Sequence, residues 1–464
     1  MYHDPESHFP EGALAAASLP ALRVGLIGLG TVGAGTLQVL QRNRHEIALR
    51  AGRPIRVTVA TARNLERAAN LLGPAVRLVS DAQALINDPE VDVVVEAVGG
   101  TELPRQWLLQ ALALGKPVVT ANKALLAQHG SEIFAAASAA GTSVAFEGAV
   151  AVSIPIIKAL REGLGANRIQ WVAGIINGTS NFILSAMRER GLGFEAALAE
   201  AQRLGYAEAD PAFDVDGVDA AHKLTLLSAM AFGTPVQFDR VHVEGIRHLQ
   251  AQDVRLAERL GYRVKLLGIT RRRPEGLELR VHPALLPADQ LLAQVNGSMN
   301  GILVKGDASG VTMYYGAGAG SEPTASAVIA DLIDLARLHG GRHEHRVPHL
   351  AFQPAALRPL PVLPMATLRG AHYLRWSACD EAGLSPLMAR LAAALETHRI
   401  PVRRLERVPG EAGQAPAVVV LTGPALEGDI VALRAALAQE VVGAAEAGEA
   451  GVQVSAWLRI ESLS

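Results

Sequence analysis

Three stretches of this 464-residue chain hold side chains whose types and spacing suit chemistry. The first is Gly28-Leu29-Gly30-Thr31-Val32-Gly33, between the apolar run 22–27 and a segment of helical spacing. In a strand–turn–helix setting Gly28 permits the tight turn, Gly30 lets the backbone approach a pyrophosphate, and Gly33 lets the helix pack close to the strand. The helix N-terminus then offers free N–H groups and a positive dipole to phosphates. The second is Thr120-Ala121-Asn122-Lys123, just after an apolar run. The carboxyl ends of parallel strands line the ligand crevice, so a lysine there is placed to act, although spacing alone also allows a surface lysine. The third packs Glu208, Asp210, Asp214, Asp216, Asp219 and Lys223 into 16 residues. Asp219 and Lys223 are i, i+4 and share a helix face. A lysine beside carboxylates can position a polar substrate and move a proton. The spacing does not match an EF-hand calcium loop. Without further context it also reads as an acidic loop before an amphipathic helix.

These residues need elements to hold them. Strand-like runs at 22–27, 55–63, 91–98, 116–122 and 142–148 alternate with helical segments, a pattern that predicts a parallel, doubly wound Rossmann-type sheet over 22–155. The run VDVVVEAV at 91–98 reads as an unbroken buried strand. From about 156 longer helices and alternating strands predict an α+β catalytic and dimerisation domain to about 317, with 318–341 returning to the first domain. Residues 342–369, rich in Pro, His and Arg, read as a linker. Residues 370–464 read strand, helix, strand, strand, helix, strand, a ferredoxin-like βαββαβ unit.

The composition narrows the function. Half the residues are hydrophobic and 19% are charged, enough to bury a sizeable core. The balance of 43 basic and 45 acidic residues argues against nucleic-acid binding or a polybasic membrane surface. The lone cysteine, Cys379, allows no intrachain disulfide and no Cys-based zinc site, and fits a reducing compartment. It reads as a small core residue on a strand. Residues 1–21 read as a flexible tail with no signal-peptide pattern, and no run of about 18 apolar residues suggests a membrane span. A soluble cytoplasmic protein is expected.

The end of the second strand reads Ala60-Thr61-Ala62-Arg63-Asn64, with no acid to bond a ribose 2′-OH. Arg63 is placed to pair with a 2′-phosphate instead, which favours NADP over NAD. The competing reading is a solvated arginine. The RHEHRVPH run at 342–349 reads as a charged loop rather than a metal site.

Taken together the motifs resemble homoserine dehydrogenase, in the monofunctional bacterial form with a C-terminal ACT domain. The likeness is carried by Ala201, Gly205, Asp210-Pro211, Asp214, Gly217, Asp219 and Lys223, and by VVTANKALLAQHG, IPIIKALREGLGANRI, GIINGTSNFIL and YYGAGAGSEPTASAVIADL, in order. The resemblance implies the NAD(P)-dependent interconversion of L-aspartate 4-semialdehyde and L-homoserine, on the route to threonine, methionine and isoleucine. It implies Lys223 as acid/base, Lys123 beside it, and Asp214 and Asp219 orienting substrate and Lys223. Glu208 would hold the substrate amino group, and Asn177, Gly178 and Thr179 would line its pocket. Gly28, Gly30, Thr31, Val32, Gly33, Arg63, Gly99, Thr120, Lys123, Gly320 and Glu322 would meet the cofactor, with the Gly318–Gly320 loop closing over the nicotinamide. A monovalent cation such as sodium would sit at Glu147 and the carbonyls of Val150, Val152 and Ile154. A homodimer or homotetramer, and a threonine effector at the ACT domain, are further implications.

The chain departs from the family pattern where Val152 replaces a glycine, Ala317 a proline, and Ala382 the proline of the ACT strand-to-helix turn. The two rival readings are another NADP-dependent dehydrogenase of a small amino-acid or dicarboxylate substrate, and an inactive ACT-type ligand sensor. The signature with Glu208, Asp219 and Lys223 argues against the first, and the retained Lys123, Lys223 and glycine fingerprint argue against the second.

Overall fold

The structure is a computed structural model that describes residues 19–341, 347–410, 414–446 and 453–463. Most of the expected tail, and residues 342–346 of the His-rich run, fall outside these residues.

Six strands form a parallel sheet: β1 (Leu22–Ile27), β2 (Ile55–Thr61), β3 (Arg77–Val79), β4 (Val93–Glu96), β5 (Val118–Thr120) and β6 (Val144–Ala145). Their order is β3-β2-β1-β4-β5-β6, every pair parallel. Val93, Val94 and Val95 are wholly buried, as a strand covered by helices on both faces requires. The order reverses between β1 and β4, which opens a ligand crevice at the carboxyl ends of those strands. Helix Thr31–Arg42 leaves β1 directly after the glycine turn. Helix Ser321–Leu338 returns to pack on it: Ser321 Oγ donates to Thr31 O at 2.7 Å. A Cβ on Gly35 would stand 2.4 Å from that hydroxyl, so the two helices touch through a glycine.

The remaining strands are β7 (Ile169–Ile175), β8 (His242–Val243), β9 (Tyr262–Arg273), β10 (Gly276–Pro287), β11 (Met299–Gly306), β12 (Gly310–Ala317), β13 (Arg369–Ser377), β14 (Val402–Val408), β15 (Ala417–Thr422), β16 (Ala425–Leu426) and β17 (Gln453–Ile460). They make one sheet in the order β12-β11-β7-β9-β10-β17-β13-β15-β14, with β8 on β10 and β16 on β13. Helix Val218–Phe232 lies on this sheet and is buried almost along its whole length. The C-terminal strands run β17-β13-β15-β14, the order of a ferredoxin-like βαββαβ unit.

Three features add to or differ from the sequence reading. The C-terminal unit does not stand apart: β17 pairs in parallel with β10 at Ala284–Arg459 and Leu285–Ile460. The described part of the segment read as a linker is also tied down. Leu277 N donates to Pro361 O, and Leu363 N to Leu277 O, both at 2.8 Å. Prolines there lack donors but keep carbonyls, so an extended Pro-rich segment can lie along β10. Cys379 is not a core residue. It is exposed beyond the end of β13, where the Asp380–Gly383 turn begins.

Candidate active site

Gly217 caps helix Val218–Phe232 in the left-handed conformation, φ +85°, which turns the chain sharply from Asp214 into the helix. One turn in, Asp219 and Lys223 stack on the same face, and Lys223 Nζ meets Asp219 Oδ2 at 2.8 Å. Lys123 reaches the other oxygen: its Nζ lies 3.1 Å from Asp219 Oδ1. It begins helix Lys123–Ala139 after β5, with the Asn122 side chain capping Leu125 N at 3.1 Å. One buried carboxylate therefore bridges two lysines from two different domains.

Asn177 completes the junction. Its side-chain amide donates to Asp214 Oδ1 at 2.7 Å and to Asp219 Oδ2 at 2.8 Å, while its oxygen caps helix Gly178–Arg190 through Ser180 N at 2.8 Å. Lys223 Nζ makes a second bond, to Ile176 O at 2.9 Å. These groups face a cavity of about 680 Å³. Lys123, Asn177, Gly178, Thr179, Glu208, Asp214, Asp219 and Lys223 line it, with the Ala317–Gly320 turn as its far wall. Thr179 Oγ donates to Tyr206 O at 2.7 Å and holds the acidic loop against the cavity.

Burial is the first influence on Asp214, Asp219 and Lys223. It opposes ionisation of Asp219, but the two ammonium groups outweigh it and hold the carboxyl well below its ordinary range. Burial lowers Lys223, Asp219 raises it and Lys123 lowers it, for a net fall. Desolvation leads, and the like charge of Lys123 acts in the same direction. Burial also raises Asp214, against the Asn177 amide bond that lowers it. The neighbouring His222 lies between Phe213 and Phe238, and burial lowers it to about 4.

The cofactor side is set by the glycine turn. Gly28 has φ +97°, and a Cβ on Gly33 would stand 2.0 Å from Gly28 O, so neither position accepts a side chain without a shift. A Cβ on Gly30 would meet nothing within 4 Å, so the space above it is open to a ligand. The Thr31 helix start and the open, left-handed Gly99 flank the same crevice. Val32 is half-buried against the sheet core. These features fit a bound dinucleotide.

A residue the sequence reading passed over organises this wall. Glu96, wholly buried inside what looked like an apolar run, accepts from Val98 N at 2.7 Å and Gly99 N at 3.0 Å with one oxygen. With the other it accepts from Thr120 Oγ at 2.7 Å. An acid within a buried strand was the available signal. Of the other expected cofactor residues, Arg63 is exposed just beyond the end of β2, and Glu322 forms a surface pair with Arg42 at 2.8 Å.

At the cation candidate, both Glu147 oxygens accept backbone N–H groups, from Ile157 and Lys158, each at 2.9 Å. Val152 adopts φ +55°. Val150 and Ile154 are buried on either side. Among the described residues no cluster of three or more His, Cys, Asp or Glu side chains forms a metal site.

Comparison with known proteins settles the family. The family model for homoserine dehydrogenase matches residues 155–333, and that for the homoserine dehydrogenase NAD-binding domain matches residues 28–147. This chain belongs to the homoserine dehydrogenase family. The homoserine dehydrogenase of Pseudomonas aeruginosa is 53% identical over 82% of this chain and 87% of that protein. That of Neisseria gonorrhoeae is 50% identical over 86% of this chain and 91% of its own length. The crystal structure of a homoserine dehydrogenase from Thiobacillus denitrificans superposes with a TM-score of 0.87 at 54% identity, covering 96% of this chain and 99% of that one. A hyperthermophilic archaeal homoserine dehydrogenase in complex with NADPH matches at 25% identity and a TM-score of 0.60, covering 70% of this chain and 99% of its own. As a homoserine dehydrogenase the protein is an oxidoreductase with a domain for NAD or NADP. Among the described residues no helix is long and apolar enough to cross a membrane.

Proposed function

We propose that Lys223 is the proton donor when L-aspartate 4-semialdehyde is reduced and the proton acceptor when L-homoserine is oxidised. An ammonium group has three donors, and Lys223 commits two of them, to Asp219 and Ile176 O. The third is left for an oxygen in the cavity, and this observation carries the reading. A nicotinamide dinucleotide held at the glycine turn supplies hydride transfer when bound. Asp219 keeps Lys223 and Lys123 in register, and Lys123 adds positive charge where alkoxide charge develops. Glu208 faces the cavity as the partner for the substrate ammonium, with Asp214, Asn177, Gly178 and Thr179 shaping the pocket around it. The test is absorbance at 340 nm with L-homoserine and either cofactor. Lys223→Ala should lose about a thousandfold in turnover with cofactor binding intact. Turnover retained in the folded variant would refute the assignment.

Arg63 supports a preference for NADP, because no acid stands at the end of β2 to bond a ribose hydroxyl. Arg63→Ala should lower the NADP over NAD ratio of kcat/KM by on the order of tenfold, and an unchanged ratio would remove Arg63 from the site. The carbonyls of Val150, Val152 and Ile154 beside Glu147 are hard oxygen donors suited to sodium. The strand β12 leaves Val311 and Tyr315 exposed at a sheet edge, which supports pairing with a second copy in a dimer. The βαββαβ unit supports an ACT-type role with threonine as effector, and the chemistry suits a cytoplasmic enzyme.

A further inference from the structure

Residues 242–247 form a brace beneath the acidic loop. On one side they hold residues 215–217, which join Asp214 to the helix of Asp219 and Lys223. Ile246 N donates to Val215 O at 2.8 Å, and Arg247 Nη2 donates to Asp216 Oδ2 at 3.1 Å. Gly245 approaches so closely that a Cβ would stand 2.3 Å from Val215 O and 2.5 Å from Asp216 Cα. A Cβ on Gly217 would likewise meet Val243 at 3.2 Å and Glu244 O at 3.3 Å.

On its other side the brace is gripped from the C-terminal unit. Arg459, on β17, gives both Nη groups to the Glu244 carboxylate, at 2.7 and 2.8 Å. Arg459 is 4% exposed, and its Nε donates to Glu427 Oε1 at 2.9 Å. Glu427 in turn holds His372 Nε2 at 2.8 Å. Glu244 N donates to Val281 O at 2.8 Å, which ties the brace to β10.

We propose that Arg459 and Glu244 are positioning residues for the substrate site. The bidentate pair fixes the brace in orientation as well as distance. The brace fixes residues 215–217, and those set the separation of Asp214 from Asp219. Neither Arg459 nor Glu244 lines the cavity, so the pair acts only through the loop. The proposal rests on the substrate-site reading given above.

The test uses the full chain, with KM and kcat for homoserine and for the cofactor, and circular dichroism with Tm to establish folding. Arg459→Met and Glu244→Gln should each raise KM for homoserine, on the order of tenfold, and leave KM for the cofactor unchanged. The double variant should be no worse than the worse single one, and Arg459→Lys should recover part of the loss. Arg375→Met breaks a different buried contact between the same two units, Arg375 Nε to Asp253 Oδ1 at 2.7 Å. It should lower Tm and move neither KM. If Arg459→Met does not fold, Gly245→Ala displaces the loop from the brace side and should give the same homoserine-specific rise. An unchanged homoserine KM in the folded variants overturns the proposal, as does an equal rise in Arg375→Met. No turnover of homoserine by the unaltered chain would instead overturn the substrate-site reading.

Discussion

At the residue scale, the site is one carboxylate shared by two ammonium groups, and its electrostatics have a definite sign. Lys223 must lose its proton to act as a base, so the rate of homoserine oxidation should rise with pH through its lowered pKa. Asp219 raises that pKa and Lys123 lowers it. Asp219→Asn should therefore move the limb of the kcat/KM profile to lower pH, and Lys123→Ala should move it upward toward the value of a free lysine. Shifts in the same direction for both variants would contradict the arrangement. The i, i+4 spacing of Asp219 and Lys223 was legible in the sequence because a helix repeats every 3.6 residues. The bond from Lys123 to Asp219 was not, because it crosses between domains. Asn300 was equally hidden. It is wholly buried with neither amide atom paired among the described residues, and its Nδ2 stands 2.1 Å from where a Gly318 Cβ would be, across the β11–β12 hairpin.

At the element scale, turns decide which residues reach the crevice. The glycine fingerprint was readable because each glycine answers a steric demand that flanking strand and helix impose. Val152 is the opposite case. A β-branched side chain at φ +55° is strained, since Cβ crowds the backbone there. Val152→Gly should raise the free energy of unfolding by about 1 kcal/mol, read as a higher thermal midpoint. A lower midpoint would mean that the isopropyl group contributes more by packing than its backbone costs. Glu96 shows why a strand can be placed correctly and its role missed: its length and apolar neighbours mark β4, but only the fold brings Thr120 and the 98–99 turn to its carboxylate.

At the scale of the whole molecule, alternation of strands and helices foretold the parallel sheet, and the βαββαβ order foretold the shape of the C-terminal unit. The junction between the units was not legible, because two short pairings between β10 and β17 leave no periodic trace. Buried ion pairs seal it: Arg280 bonds Glu461, and Arg375 bonds Asp253. Breaking such a pair on one side strands a charge in the interior. A chain ending at residue 410 should therefore lose thermal stability and precipitate on heating below the midpoint of the full chain. An equal midpoint would show that β10 needs no neighbour. The shared sheet also orders events during synthesis. β10 is complete at Pro287, but its partner strand begins only at Gln453. β8 covers the flank at Arg280 and Val281, but at ribosomal speeds its Ala284–Leu285 end stays bare for on the order of ten seconds or more. Through that interval the nascent chain carries an open strand edge that any neighbouring polypeptide can extend. The last strand made is the one that closes it.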